Sequence, residues 1–201
     1  VTDPGTEQRG TTDEVRAHLA DGASVHVFSA ISPEPPESEI RAGVAVLDEL
    51  NPDLVVAVGG GSVLDAAKAI RLFHESPELT MRELSLPFLD ARKRVAQYPQ
   101  GQHAARLVAI PTTSGTGSEV SPAAVLTADG RKVTLVDYSL VPDMAIVEPK
   151  LTLSMPPDMT ADTGVDALTH ALEAAVSIFA SPFTDAFCMQ AINLILDALP
   201  R

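Results

Sequence analysis

The sequence predicts a protein of the α/β class, in which a parallel sheet is followed by a segment made of helices alone. Two patterns carry this prediction. In the first three quarters of the chain, strand-like apolar runs alternate with segments of helical periodicity, which is typical of parallel sheets whose strands are joined by helices. After Pro157 the pattern is helical throughout. We therefore expect an α/β domain at residues 1–155 and a helical domain beginning at residue 156 and running to residue 201.

The composition is that of a globular protein with a strong negative charge. The chain has 201 residues, 45% of them hydrophobic, and a formal net charge of −13. Such a charge is repelled by nucleic acids and by anionic membranes, so we expect neither as a partner. We find no apolar run of the roughly 18 residues that a membrane span requires. The single cysteine, Cys188, excludes an internal disulfide and fits a cytoplasmic protein, in which we expect it to lie in the core.

The elements of the first half follow from the spacing of apolar residues. Residues 1–3 resemble the end of a strand whose beginning is missing, and residues 24–28 alternate as a half-buried strand does. Residues 53–58 form a continuous apolar run, which is typical of a strand covered on both faces. Helical spacing predicts helices at residues 11–20, with Thr12 as a candidate cap, at residues 37–50 and at residues 62–73.

The second half contains further strands and then helices. We predict strands at residues 106–110 and 144–147, and a hairpin of residues 120–126 and 132–136 around Ala128-Asp129-Gly130. A helix at residues 84–95 would carry the basic cluster Arg92-Lys93-Arg94, which we interpret as a solvated face. Two long helices are expected at residues 159–179 and 183–199, separated by Ser181-Pro182.

A glycine-rich turn separates the predicted strand at residues 53–58 from the helix that follows it. Glycine lets a backbone turn sharply and approach a ligand closely. The start of a helix adds N–H groups without intrahelical acceptors and a partial positive charge of about half a unit. We interpret Gly59-Gly60-Gly61-Ser62 as an anion-binding turn, with a pyrophosphate as the natural occupant. A tight turn that binds nothing is the alternative.

A second candidate ligand segment follows the strand at residues 106–110. Residues 111–119 combine threonines, serines and glycines directly after the strand end. This composition suits the carboxyl edge of a parallel sheet, where open α/β folds bind ligands. A polar loop without a function explains the composition equally well.

A carboxylate and an imidazole stand one helical turn apart in the helical domain. Asp166 and His170 are separated by four positions, which places them on one helix face with Cβ atoms roughly 5–6 Å apart. Together they could bind one divalent metal ion, although a catalytic metal usually has three or four ligands. A surface hydrogen bond is the alternative. The surrounding residues are apolar almost all round, which predicts a buried helix whose polar side chains need partners.

Three motifs in matching order resemble one enzyme family. They are Gly-Gly-Gly-Ser-x-x-Asp-x-x-Lys at residues 59–68, Ile-Pro-Thr-Thr-Ser-Gly-Thr-Gly-Ser-Glu-Val at 110–120 and Gly-Val-Asp-Ala-Leu-Thr-His-Ala-Leu-Glu-Ala at 164–174. Together they resemble the iron-dependent (group III) alcohol dehydrogenases. Residues 82–94 and 138–149 are most similar to the alcohol dehydrogenase half of the bifunctional aldehyde–alcohol dehydrogenases.

The resemblance implies a fold and a set of site residues. It implies an α/β nucleotide-binding domain with a dehydroquinate synthase-like parallel sheet, followed by an all-helical metal-binding domain. Asp3 would lie near the adenosine end of the cofactor NAD, and Asp166 and His170 would be the first two metal ligands. The remaining implied cofactor contacts are Gly60, Gly61, Ser62, Asp65, Thr112, Thr113, Thr116 and Lys132.

Two departures from the family pattern bear on these assignments. The family often has asparagine in a Pro-Asn-Pro turn where this chain has Glu34, and a carboxylate beside a dinucleotide phosphate would be repelled. The family's other two metal ligands are histidines beyond His170, and no histidine follows His170 here. The sequence therefore resembles a piece of the enzyme, with a clipped first strand and an incomplete helical domain.

The resemblance implies hydride transfer between NAD(H) and a small aldehyde or primary alcohol such as acetaldehyde or ethanol. The implied metal is Fe²⁺, with Zn²⁺ as a second option, because a carboxylate and an imidazole suit both ions. We expect the full-length protein to be a homo-oligomer and the 201-residue chain to have little activity alone. The alternatives are an NAD-binding fragment without turnover and a glycerol dehydrogenase-like enzyme of the same fold.

Overall fold

The computed structural model describes residues 1–19, 21–84 and 104–200, which fall into two compact units. The described residues of 1–112 form the first unit together with residues 118–148. Residues 113–117 and the described residues from 149 onward form the second. The domain boundary predicted between residues 155 and 156 stays a prediction.

A parallel sheet forms the centre of the first unit. Strands β1 (Leu54–Gly59), β2 (Arg106–Pro111) and β5 (Met144–Ala145) lie in the order β1–β2–β5, and both pairs are parallel. Thr2 adds a parallel bridge to Val58, which extends the sheet beyond β1. The predicted parallel sheet is therefore confirmed, and the apolar run of β1 suits a strand covered on both faces. The strand end predicted at residues 1–3 stays a prediction, since Thr2 makes a single isolated bridge.

Two helices of the first unit match their predicted spans closely. Helix α3 (Glu37–Leu50) begins with acidic residues that favour a helix start and ends at Asn51, whose φ of 42° is left-handed. Helix α4 (Gly61–Glu75) follows β1, and most of its residues are buried. The two helices approach closely at Gly43, where a side chain would overlap Ile70.

The predicted hairpin is present as a separate two-stranded sheet. Strands β3 (Ala123–Ala128) and β4 (Arg131–Val136) pair antiparallel around Asp129 and Gly130. Both turn residues have positive φ angles, 50° and 69°, as two-residue hairpin turns prefer. The first strand begins at Ala123 and not at residue 120, because residues 118–120 form a turn.

Near the amino terminus one predicted strand is wrong, and one predicted helix is confirmed with a shorter length and a different cap. Residues 24–28 form no strand; the backbone bond from Thr2 N to Phe28 O, 2.8 Å long, gives them one attachment to the sheet and no ladder. The helix predicted at residues 11–20 is the shorter α2 (Thr11–Arg16), which is capped by Gly10 and not by Thr12. The sequence also gave no sign of the preceding short helix α1 (Pro4–Gln8).

The second unit contains two long helices. Helices α6 (Pro157–Ala175) and α7 (Pro182–Ala198) pack against each other, and a side chain at Gly164 of α6 would overlap Leu199. Helix α7 starts with a capping box between Ser181 and Thr184, which explains the predicted break before it. Both helices are thus confirmed, although α6 ends at Ala175 and not at residue 179.

The prediction that the helix carrying Asp166 and His170 is buried was wrong. In α6 only Ala171 is buried, whereas Leu172 is 50% exposed and Val165 is 53% exposed. An apolar surface on all sides needs packing partners on all sides, and α6 packs along one side against α7. Cys188 of α7 is buried, as expected.

Part of the middle of the chain lies outside the described residues. The predicted helix at residues 84–95 and its basic cluster fall there, except for Leu84, which ends the short helix α5 (Met81–Leu84). Within the described ranges, no helix combines the length and the apolar character needed to cross a lipid bilayer.

The contact between α3 and α4 yields a stability prediction. A Cβ atom added at Gly43 would overlap Cδ1 of Ile70 and would lie 3.2 Å from Cε1 of Phe28. We expect Gly43→Ala to lower the free energy of unfolding by about 1–2 kcal/mol in urea denaturation, because overpacking outweighs the helix propensity gained. Ile70→Ala removes both overlapping carbons, Cδ1 and Cγ1, so the double variant should lose less stability than the two single losses combined. A Gly43→Ala protein that is more stable than the parent would contradict this packing.

Candidate functional site

The glycine turn joins the carboxyl end of a sheet strand to the start of a helix. β1 ends at Gly59, and Gly60 precedes α4 in an extended conformation with φ −74° and ψ −179°. Among the described residues, no side chain caps α4. The first N–H groups of a helix have no intrahelical acceptors and carry its positive end. The turn therefore joins a strand end to a helix start, as predicted, while its role as an anion site stays a prediction.

Packing alone explains the first glycine of this turn. A Cβ atom at Gly59 would lie 2.6 Å from Cγ2 of Val63, so a side chain there would push α4 away from the sheet. The backbone oxygen of Gly59 accepts a hydrogen bond of 2.9 Å from the N–H of Thr112. Thr112 is 7% exposed and directly follows β2, so the structure brings this predicted cofactor contact beside the glycine turn.

The predicted contacts Thr113 and Thr116 belong to a loop of the second unit that packs against α6. Gly115 of this loop has a φ of 146°, and a Cβ atom there would overlap the backbone oxygen of Thr163. Glycine is required here because any side chain would separate the loop from the helix. Thr163 lies about one helical turn before Asp166, so the loop approaches the part of α6 that carries the predicted metal ligands.

Asp166 and His170 lie side by side on α6. The distance from Asp166 Oδ1 to His170 Nε2 is 3.7 Å, and the two side chains are 46% and 53% exposed. A tetrahedral metal bound at about 2.1 Å by both atoms would hold them about 3.4 Å apart, so the pair fits a divalent ion after a small adjustment. Within the described residues, no group of three or more potential ligands occurs. The pair thus supplies two donors of a type that Fe²⁺ and Zn²⁺ both accept.

Lys132 and Ser62 are connected through Glu34. The Lys132 ammonium lies 2.7 Å from Oε1 of Glu34, and the N–H of Glu34 donates a 3.4 Å hydrogen bond to Oγ of Ser62. The structure therefore places the predicted contact Lys132, on β4, near the glycine turn. Glu34 has a left-handed φ of 55°, a conformation that costs energy for a residue other than glycine.

Asp3 makes local contacts that the sequence did not reveal. Its Oδ1 accepts a 2.9 Å hydrogen bond from the N–H of Thr6, and its Oδ2 accepts a 2.6 Å bond from the Thr6 hydroxyl. Asp3 therefore caps α1, where the positive helix end favours its negative charge. Its predicted contact with the adenosine end of a cofactor stays a prediction.

Asp65 and Lys68 form a buried clamp between α4 and the hairpin. The fully buried Lys68 ammonium donates to Ala123 O at 2.7 Å, Ser118 Oγ at 3.0 Å and Ser121 O at 3.2 Å, and it lies 3.4 Å from Asp65 Oδ1. Asp65 also accepts hydrogen bonds from the Ser118 hydroxyl and, at 2.9 Å, from the N–H of Val125. Protein donors thus engage both oxygens of Asp65, whose predicted cofactor contact stays a prediction.

Burial and charge act in opposite directions on this lysine. Burial lowers the pKa of the Lys68 ammonium, and the nearby Asp65 carboxylate raises it. The pKa of Lys68 is lowered on balance, so the charge of Asp65 and the surrounding oxygens compensate only in part for the loss of water around the ammonium. Sequence reasoning assigned no role to Lys68 or to its partner Ser118. The available signal was a lysine set among Ala66, Ala67 and Ala69, three positions after an aspartate, which indicates a buried pair.

The sequence matches models of two known protein families. A family model described as "Iron-containing alcohol dehydrogenase" matches residues 1–149. A second, described as "Fe-containing alcohol dehydrogenase family, C-terminal", matches residues 160–201. The two matches together cover almost the whole chain.

Individual relatives agree with the family matches. The chain is 43% identical over 203 aligned residues to the "Bifunctional aldehyde-alcohol dehydrogenase AdhE" of Escherichia coli K12. It superposes with a TM-score of 0.90 and 36% identity on an iron-containing alcohol dehydrogenase from Thermococcus thioreducens. The TM-score is 0.86, with 33% identity, for sulfoacetaldehyde reductase from Bifidobacterium kashiwanohense, solved in complex with NAD⁺.

These proteins are longer than the chain. The alignments include 99–100% of the chain but 23% of the E. coli protein, 52% of the Thermococcus protein and 50% of the Bifidobacterium protein. The chain therefore spans about a quarter of the bifunctional relative and about half of the two solved structures.

The clamp yields a second stability prediction. Lys68→Met removes the donor and leaves Asp65, which is 14% exposed, with an uncompensated charge. We expect a loss of about 3–5 kcal/mol in the free energy of unfolding, as measured by urea denaturation, because one partner of a buried pair is removed. Lys150→Met, at an exposed position, is the matched control and should change stability by less than about 1 kcal/mol, because interactions of exposed charges contribute little. Equal stability of the two variants would show that the clamp does not support the fold.

Proposed function

The chain belongs to the iron-containing alcohol dehydrogenase family, and from this membership we propose that the whole protein is an NAD-dependent, metal-containing alcohol dehydrogenase. Its substrates would be a small primary alcohol and the matching aldehyde, such as ethanol and acetaldehyde. Relatives of the family are named for different substrates, among them sulfoacetaldehyde and butanol. Family membership therefore supports the cofactor part of the proposal more strongly than the choice of substrate.

One observation carries the cofactor part of the proposal. The start of α4, uncapped by any described side chain, lies at the carboxyl end of β1, and Thr112 is hydrogen-bonded to the same turn. N–H groups at a helix start suit a pyrophosphate, and ligands of open α/β sheets bind at this edge. We assign the pyrophosphate of NAD to Gly60, Gly61 and Ser62, with Thr112 beside it. Thr113 and Thr116 would contact its phosphates and nicotinamide ribose, and Lys132 would make a further contact. Asp3 would lie near its adenosine end, and Asp65 remains a candidate contact of the motif at residues 59–68.

Asp166 and His170 would hold the metal, which we take to be Fe²⁺. A bound divalent ion would supply a positive charge that stabilises the negative oxygen of the alcohol as hydride leaves its carbon. The role of the two side chains is to bind and orient, because the carboxylate and the imidazole share one helix face. The family resemblance implies two further histidine ligands, and no histidine follows His170 in this chain.

We further propose where the protein acts and what it binds. The negative charge of −13 and the single cysteine support a cytoplasmic protein whose partners are small molecules. The aldehyde–alcohol pair exchanges hydride with the nicotinamide, so the reacting carbon and the nicotinamide ring must be held in contact with water excluded.

A binding experiment tests the cofactor assignment. We expect titration calorimetry of the 201-residue chain to show saturable NAD binding, because the turn and Thr112 form one unit. Thr112→Val should raise the Kd about three- to tenfold, as expected for one hydrogen bond of about 0.5–1.5 kcal/mol. Thr134→Val, on an exposed position of β4, is the control and should bind like the parent. Absence of saturation at millimolar NAD would refute the cofactor assignment.

A turnover experiment tests the metal assignment. Two ligand side chains stand on α6, and a catalytic metal normally needs three or four. We expect the 201-residue chain, supplied with Fe²⁺ or Zn²⁺, to reduce acetaldehyde with NADH at no more than background rate. The measurement is the loss of NADH absorbance against a protein-free control. Sustained turnover by the purified chain would mean that it assembles a complete metal site without further histidines.

A further inference from the structure

An exposed ion pair stands beside the glycine turn. The Lys132 ammonium of β4 lies 2.7 Å from a carboxylate oxygen of Glu34, and the two side chains are 65% and 64% exposed. Glu34 is connected to the first turn of α4 by its N–H, which donates to Oγ of Ser62 at 3.4 Å. A residue with a negative side chain therefore has its backbone beside the first turn of α4, whose N–H groups would receive the cofactor's pyrophosphate.

The backbone of Glu34 is held in place from both sides. It lies between Pro33 and Pro35, whose rings restrict the chain, and the carbonyl of Pro35 accepts a 2.9 Å hydrogen bond from the N–H of Thr127 on β3. Its left-handed φ of 55° is unfavourable for glutamate and persists because the surrounding contacts impose it. The Glu34 backbone is therefore held beside the turn, and its side chain starts from there whether or not Lys132 is its partner.

We propose that Glu34 sets the affinity for the dinucleotide, because its carboxylate competes with the pyrophosphate for Lys132 and repels the pyrophosphate from the start of α4. This inference rests on the proposed function and adds a specificity-determining residue to it. Its consequence is a cofactor that binds more weakly, and leaves faster, than the glycine turn and Lys132 alone would allow.

The exposure of the pair makes the competition physically reasonable. Ion pairs between exposed side chains contribute little to stability, since water solvates both partners. A pyrophosphate carries more negative charge than one carboxylate and accepts several charge-assisted hydrogen bonds, so it can draw Lys132 away from Glu34. Glu34 then remains within the Debye length of about 8–10 Å, where its repulsion is only partly screened.

Removal of the Glu34 charge tests the proposal. Glu34→Gln keeps the length of the side chain and the energetic cost of the left-handed backbone, and it removes only the negative charge. We expect the Kd for NAD to fall about three- to tenfold in titrations at about 20 mM salt, and the difference to shrink at about 500 mM salt, where screening is stronger. Gain of affinity should appear mainly as slower NAD release in stopped-flow measurements.

A nearby glutamate supplies the matched control. Glu37 stands three positions further along and pairs with Arg41 on α3 instead of with Lys132. Glu37→Gln changes the net charge by the same amount, so we expect its Kd for NAD to equal that of the parent. Glu34→Gln should unfold at the parent's temperature, because its side chain is 64% exposed. Glu37→Gln should unfold slightly below it, because Glu37 is 33% exposed and stands in the first turn of α3, where a negative charge is favourable.

A double-mutant cycle separates competition from repulsion. Lys132→Met should weaken NAD binding, because a positive group near the phosphates is lost. In the Lys132→Met background, Glu34→Gln should improve the Kd less than it does in the parent, because only the repulsion remains to be relieved. Equal improvement in both backgrounds would overturn the competition for Lys132.

Further outcomes would overturn the proposal. A Glu34→Gln protein that binds NAD as the parent does, or more weakly, removes the role of the carboxylate. Equal tightening by Glu37→Gln assigns the effect to total charge and not to Glu34. A lowered unfolding temperature of Glu34→Gln gives the pair a folding role instead. Failure of the parent and all variants to bind NAD overturns the proposed function itself, which the parent's titration distinguishes from failure of this inference alone.

Discussion

A buried ammonium group determines how the first unit is assembled around α4. Lys68 is fully buried, and a buried charge is tolerated only when oxygen atoms replace its water. Its partners come from the same helix at Asp65, from the loop at Ser118 and from the start of the hairpin at Ala123. One side chain therefore fixes the helix, the loop and the hairpin relative to one another.

The candidate cofactor site takes its geometry from that arrangement. Ser62 stands at the start of the clamped helix, and Lys132 stands on the clamped hairpin, so the clamp fixes the elements that carry these residues. The two lysines of the region differ in exposure: Lys68 is buried and serves the fold, whereas Lys132 is 65% exposed and can exchange partners. Burial thus separates a structural charge from one that can respond to a ligand.

Sequence patterns predicted an element correctly where its burial follows from its own residues. They failed where the element forms or is buried only if another segment packs against it. The apolar run of β1 and the periodicity of α4 matched the structure, because burial on both faces or on one face leaves a direct trace in composition. Alternation at residues 24–28 predicted a strand that is absent, since a strand also needs a neighbour to pair with. The apolar surface of α6 predicted burial, yet Leu172 is half exposed because α7 covers one side of α6.

By itself the sequence determined the α/β class, the order of the main helices and strands and the membership of a dehydrogenase family, because these follow from local periodicity and from motifs that are contiguous in the chain. Only the tertiary structure decided what the motif residues contact. In the structure, Asp65 pairs with Lys68 and accepts a hydrogen bond from Val125. Glu34 forms an ion pair with Lys132, which lies 98 positions further along the chain. Such contacts depend on how separate segments pack, and no local pattern encodes the distance between two side chains that folding brings together.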